Sequence, residues 1–198
     1  MASIYEYLRR KSQNEYVAIS HELELASRTD ALTGLVNRRA MQASLEIEQS
    51  LFFRHGHPFS VIMMDLDHFK QINDKYGHGK GDELLILIAR LLLKEVRQQD
   101  LVCRWGGEEF LVLLPQTNQE QSLIVAEKLR KAIEVIDLDV IGITDPVTAS
   151  FGVECISATQ NISELIAASD RNLYEAKRRG RNQVFDPAGR ICAKGTVE

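Results

Sequence analysis

The sequence is poor in the residues that staple a small fold. Only three cysteines occur in 198 residues, Cys103, Cys155 and Cys192, and no two form a CxxC pair. An odd, widely spaced set argues against a disulfide framework or a zinc site and points to a reducing compartment. A positive excess is also missing, the formal net charge being -4. A footprint on duplex nucleic acid needs a basic face, so nucleic acid is not an expected partner. A polyphosphate remains compatible, because a few local cations and a metal outweigh a mild global charge. The longest apolar run, Leu84 to Ala89, is far too short to span a bilayer. The opening MASIYEYLRRK carries Glu6, Arg9, Arg10 and Lys11 and lacks the apolar core of a signal peptide. A cytoplasmic location is expected, with any membrane tether carried by a part ahead of this chain. Internal repeats and low-complexity tracts are absent.

What is present suits one domain with an appended helix: 44% of residues are hydrophobic and 26% charged. Residues 1–28 contain no Gly or Pro and read as a helix. Tyr16, Ile19, Leu23 and Ala26 fall at 3-4-3 spacing, which fits either a coiled-coil seam or an amphipathic helix lying on its own domain. The main domain is expected over 29–186, followed by a loosely ordered tail over 187–198. Within it, Asn37 is a good N-cap for a helix from Arg38 to about Phe53. Phe59–Asp65 reads as a buried strand, Phe69–Tyr76 as a short helix and residues 77–82 (GHGKGD) as a Gly-rich break. A long apolar helix is expected from about Glu83 to Val96. Leu101–Arg104 and Glu109–Leu114 read as strands, residues 119–135 as a helix, Thr148–Cys155 as a strand, Ser163–Arg179 as a helix and Gln183–Phe185 as a last short strand. The fold class is therefore α+β: a central, mostly antiparallel mixed sheet flanked by helices.

Two clusters of acids stand out. Asp65 and Asp67 sit where the first long strand ends, and residues two apart share one face of a strand. They either serve a site or cap the helix that follows. Glu108 and Glu109 follow two glycines between two buried strands, where a plain turn has no need of them. Converging carboxylates raise one another's cost of ionisation unless a cation neutralises them. Magnesium does so with one or two carboxylates and completes its shell from carbonyls, water and phosphates. That layout fits metal-assisted phosphoryl or nucleotidyl transfer. Gly106 and Gly107 would let backbone approach a bulky ligand. Backbone amides at the start of the helix after Asp67 would form an anion site, with Lys70 in the same turn. The late run YEAKRRGRN supplies Lys177 and Arg181, as phosphate ligands or as a solvated basic helix end.

Four motifs together resemble the bacterial GGDEF-domain diguanylate cyclases: DALTGLVNRR (30–39), DLDHFKQINDKYGHGKGDELL (65–85), GGEEF (106–110) and AKRRGRNQV (176–184). GGEEF is a common variant of the name-giving sequence. The resemblance covers roughly residues 28–186. It implies a fold similar to the polymerase palm and to nucleotidyl cyclase catalytic domains. It also implies condensation of two GTP into cyclic di-GMP with release of two pyrophosphates, in a homodimer holding one GTP per subunit. Two Mg2+ ions per active site are implied, with Mn2+ able to substitute.

Carried onto these residues, the resemblance makes Asp65, Glu108 and the Leu66 carbonyl metal ligands. Glu108 is also a candidate base, and Glu109 a second acid for the other metal. Lys70 stabilises phosphate charge, Phe69 and Lys70 lend backbone amides, and Lys177 and Arg181 contact the terminal phosphates. Asn73 and Asp82 resemble guanine readers, with His78 either lining that pocket or holding the Gly-rich loop. A carboxylate accepts from both N1–H and the 2-amino group of guanine; adenine offers neither and would leave the acid unpaired. The related subgroup making cyclic GMP-AMP carries a small hydroxyl residue where this chain has Asp82. Arg97-Gln-Gln-Asp100 ends the long helix and reads either as an i,i+3 ion pair or, by its offset of five residues from Gly106, as the family's inhibitory product site. A GGDEF domain that binds nucleotide without turning it over is the rival reading; such domains usually lack the acids or glycines kept here.

Overall fold

The computed structural model describes Glu6, Arg9, residues 28–186, Ala188 and Ile191–Cys192. Glu6 and Arg9 have helical backbone; the heptad positions Tyr16, Ile19, Leu23 and Ala26 lie outside the described residues. Among the described residues seven strands form one sheet: β1 (Val36–Asn37), β2 (Ser60–Leu66), β3 (Leu101–Gly106), β4 (Glu109–Leu114), β5 (Ala149–Cys155), β6 (Val184–Phe185) and β7 (Ile191–Cys192). Their order across the sheet is β1-β3-β4-β2-β5-β6-β7. The four long strands pair antiparallel, while β1 and β6 add parallel pairings at the flanks. The helices are α1 (Arg38–His55), α2 (Phe69–Tyr76), α3 (His78–Glu95), α4 (Gln119–Glu134) and α5 (Ile162–Arg178).

All seven residues of β2 are buried, because helices cover both faces of the sheet and leave no solvent side to alternate toward. Ile62, Met64, Phe110 and Val112 pack with Leu84, Ile88 and Leu92 of α3 and Leu129 and Ile133 of α4. Val61, Met63, Leu111 and Leu113 pack with Met41 and Leu45 of α1 and Leu165 and Leu173 of α5. Each such side chain contributes about 1.5–3 kcal/mol on burial. Asn37 caps α1 as expected, its side chain accepting from Ala40 N at 2.9 Å. Asn118 and Asn161 close capping boxes with Gln121 and Glu164 at the starts of α4 and α5.

The structure corrects two expectations. The Gly-rich stretch is not a break ending at Asp82: α3 begins at His78. Gly77 alone separates α2 from α3, at φ 85°, and a Cβ on Gly81 would run into the side-chain oxygen of Asn73, so the glycines serve close helix packing. Strand β3 runs two residues further than expected, through a register shift between Arg104 and Gly106 that leaves Trp105 as the extra residue. Within the expected tail, Ile191–Cys192 pairs antiparallel with β6.

Helix α5 passes close over Gly152 in β5. A Cβ there would collide with the Ser169 carbonyl and the Leu173 amide. Gly152→Ala should destabilise the domain by at least about 1–3 kcal/mol, the overpacking range, seen as a lower urea midpoint. An unchanged midpoint would show that α5 can yield.

Candidate active site

The end of β2 and the β3–β4 hairpin meet at one edge of the sheet. Asp65 is the register partner of Glu109 across the β2–β4 ladder, so both side chains start on the same face. Gly107 and Glu108 form the two-residue turn between β3 and β4, and Gly107 takes φ 47°. The space where Cβ atoms would stand on Gly106 and Gly107 is open, with only a Glu109 oxygen near Gly106, at 3.7 Å. The Asp65 carboxyl is pushed up from 3.8 to about 6: burial raises it, Lys177 Nζ at 2.8 Å pulls it down, and Glu108 and Glu109 push it up further. The predicted acids thus act on one another, with Glu109 directly opposite Asp65.

These donors fit a hard divalent cation. They are carboxylate oxygens, they raise one another's cost of ionisation, and a cation, Lys177, is already drawn to the most buried of them. Among the described residues no group of three His, Cys, Asp or Glu side chains is arranged to hold a metal ion. Magnesium has no such requirement, taking one or two carboxylates and finding the rest elsewhere.

The hairpin is held from outside. Arg104 Nε donates to the Gly107 carbonyl at 2.9 Å, and its Nη1 reaches Asp30 at 3.3 Å. Asp30 in turn accepts from Thr33 N at 2.9 Å and Thr33 Oγ1 at 2.7 Å. The DALTG turn therefore buttresses the GGEEF turn. Arg38 stacks on Trp105 at 4.4 Å. Beside the hairpin a groove of about 410 Å³ opens between α1 and α5, lined by Arg38, Trp105, Glu109, Ser163 and Asp170.

Asp67 does something different from Asp65. It is buried and accepts from Ser150 Oγ at 2.7 Å, Thr148 Oγ1 at 2.8 Å and the Asn182 amide at 3.0 Å. It does not cap α2: the N-cap there is His68, at φ 59°, with no side-chain cap at all. The start of α2 thus keeps its amides uncapped, at Phe69, whose ring is buried in the core, and at Lys70, which is exposed. Asn73 on α2 lies against Gly81, one residue from the exposed Asp82, so the two predicted base readers share the α2–α3 junction; His78 is exposed at the start of α3. Arg181 is exposed on the loop after α5.

A family model for the diguanylate cyclase GGDEF domain matches residues 27–183. The chain belongs to the GGDEF-domain diguanylate cyclase family. It is 41% identical over 171 residues to diguanylate cyclase DgcM of Escherichia coli (strain K12), a match covering 86% of this chain and 41% of that protein. It is 38% identical over 192 residues to the response regulator PleD of Caulobacter vibrioides (strain NA1000 / CB15N), covering 94% and 42%. The chain thus spans less than half the length of these curated relatives. Among solved structures, diguanylate cyclase SiaD from Pseudomonas aeruginosa, in complex with its activator SiaC, superposes with a TM-score of 0.76 at 36% identity, covering 92% of this chain and 74% of that one. The GGDEF domain of DgcB from Caulobacter crescentus, in complex with c-di-GMP, also gives 0.76, at 26% identity, covering 81% and 95%.

In this GGDEF domain the Arg97–Asp100 segment differs from the helix end expected. Helix α3 stops at Glu95, and the segment is a turn in which Asp100 accepts from the Arg97 amide at 2.8 Å. Among the described ion pairs none joins the exposed Arg97 guanidinium to Asp100, so the i,i+3 pair is not formed. Burial raises the Asp100 carboxyl above its ordinary value. The buttress from Arg104 to Asp30, the Arg38–Trp105 stack and the clasp of Asp67 on Asn182 were not visible in the sequence. The nearest hint was the shared presence of DALTG and RWGGEEF.

The Asp65 carboxyl should titrate near pH 6 in a carbon-detected NMR experiment, and Lys177→Met should move the midpoint higher. Its folded value lies above its unfolded one, so its stabilising contribution is complete below 3.8 and is lost as pH rises through about 6. A midpoint near 4 would remove the burial argument.

Proposed function

We propose that this domain condenses two GTP into cyclic di-GMP, each 3′-hydroxyl attacking the α-phosphate of the other GTP and releasing pyrophosphate. The observation that carries this reading is the buried Asp65 set opposite Glu109, close enough to Glu108 to feel its charge, with Lys177 drawn onto it. Asp65, the Leu66 carbonyl and Glu108 would hold Mg2+, with Glu109 serving a second ion. The metal, when bound, neutralises the acids and the triphosphate and polarises the phosphate under attack.

The chain's own residues position and stabilise. Lys177 exchanges Asp65 for the phosphates, and Arg181 meets them from the loop after α5. Phe69 and Lys70 offer their amides at the uncapped start of α2, where the helix dipole favours an anion. Lys70 Nζ adds a charge. Asp82 accepts from guanine N1–H and the 2-amino group beside Asn73, which selects GTP over ATP. One domain holds one GTP, so a homodimer brings two sites face to face. Glu108, itself in the hairpin turn, is also the candidate base for the 3′-hydroxyl.

Product binding at Arg97 and Asp100 feeds back on the enzyme. Arg97 is exposed, and its guanidinium can fork onto guanine O6 and N7 or onto phosphate. Asp100 is buried but keeps an oxygen besides the one that the Arg97 amide occupies, and that oxygen accepts from guanine N1–H.

Incubation with GTP and magnesium, read by chromatography and mass, should yield cyclic di-GMP and pyrophosphate. Glu108→Gln should lower turnover on the order of 100- to 1000-fold, the scale of losing one electrostatic contributor, with an unchanged melting temperature. Binding of GTP without any product in a dimerised sample would favour the receptor reading. Arg97→Ala should leave turnover intact and raise the inhibition constant for cyclic di-GMP about tenfold or more, matching loss of a bidentate base contact; an unchanged constant would remove the product site from this turn.

A further inference from the structure

The loop joining α5 to β6 follows an unusual path. Gly180, Arg181 and Asn182 all have positive φ, at 117°, 61° and 46°. Two of the three are not glycine, so the path must be held by its surroundings. The Arg181 amide donates to the Ala176 carbonyl at 3.1 Å, and two side-chain clamps hold the loop further, both gripping Asn182. On the sheet side, Asp67 accepts from the Asn182 amide at 3.0 Å while Ser150 Oγ and Thr148 Oγ1 anchor the same carboxylate. On the helix side, Arg130 of α4, only 2% exposed, donates to Asn182 Oδ1 at 2.8 Å. Glu127 grips Arg130 through both oxygens at 2.9 Å, and Glu134 accepts from Arg130 at 3.0 Å and from Asn182 Nδ2 at 2.7 Å. Among the described contacts neither clamp bonds to the Arg181 side chain, which is exposed next to the clamped residue.

We infer that Asp67 and Arg130 are positioning residues for triphosphate binding: through Asn182 they fix the loop that presents Arg181. This rests on the reading of Arg181 as a phosphate contact. It gives the two acids of Asp-Leu-Asp separate tasks, one toward the cation site and one toward the loop facing it. It also accounts for a buried arginine on α4 that contributes nothing to the site directly.

The test uses α,β-methylene GTP, which cannot be turned over, with magnesium and calorimetry, and GMP followed by chemical-shift perturbation. Asp67→Asn and Arg130→Gln should each weaken the triphosphate analogue about 10- to 100-fold, as supporting contacts do, and leave GMP unchanged. Asn182→Gly keeps the amide and tolerates the positive φ. It loses only the helix-side clamp, the bonds to Arg130 and Glu134, and should show a smaller loss, which keeps the test alive should Asp67→Asn fail to fold. In an Arg181→Ala background, Asp67→Asn should add no further loss. If Arg181→Ala alone leaves the analogue unaffected, the phosphate-contact reading fails. If Arg181→Ala weakens it while folded Arg130→Gln and Asn182→Gly do not, or if the Asp67 and Arg181 losses simply add, the positioning inference is overturned.

Discussion

Two carboxylates buried two residues apart at the end of one strand set the terms for this domain. An ionised carboxylate taken out of water without partners costs several kcal/mol, so each must find donors or a cation. Asp67 collects two hydroxyls and a backbone amide from Ser150 of β5, Thr148 just before it and the loop after α5, and is satisfied by the fold itself. Asp65 is left with Lys177 and with two further acids on the hairpin beside it. The fold thus completes one acid and leaves the other in need of positive charge. That difference separates a structural clasp from a site.

Among the described residues, three of the four non-glycine residues with positive φ lie around this edge, the fourth being Gln116 after β4. His68 before α2, Gly107 in the hairpin turn, and Gly180, Arg181 and Asn182 after α5 all adopt left-handed backbone. For non-glycine residues each costs on the order of 1–3 kcal/mol, offset by the Asp67 and Arg130 contacts on Asn182. The hairpin is secured in a similar way, by Arg104 spanning Gly107 and Asp30. Loops that meet phosphate need defined positions more than flexibility, since a displacement near 1 Å costs about 100-fold in rate.

Much of the architecture was legible in the chain. The strand cores and the helices over 38–53 and 119–135 follow from apolar runs, helical periodicity and cap residues such as Asn37. The misreadings share one cause. Gly77, Gly79 and Gly81 read as a loop because local propensity cannot show that Asn73 will occupy the place of a Cβ on Gly81. β1 and β7 are two-residue strands whose pairing depends on a neighbour distant in sequence or across a turn. Arg97 and Asp100 read as the end of the long helix, as an ion pair or as a product site, and the helix stops short of them at Glu95, which leaves the ion pair unmade.

The sequence by itself determined the chemistry available: which acids, cations and glycines exist, their spacing along strand ends and turns, and the family that their combination identifies. Those are local properties, carried by side-chain type and by periods of two and 3.6 residues. Only the tertiary structure decided which acid of Asp-Leu-Asp faces the hairpin acids and which clasps Asn182, and that Arg130 and Asp30 serve loops far from them in sequence. Adjacent carboxylates are chemically identical until burial and partners distinguish them, and the partners come from strands and helices that only folding brings together.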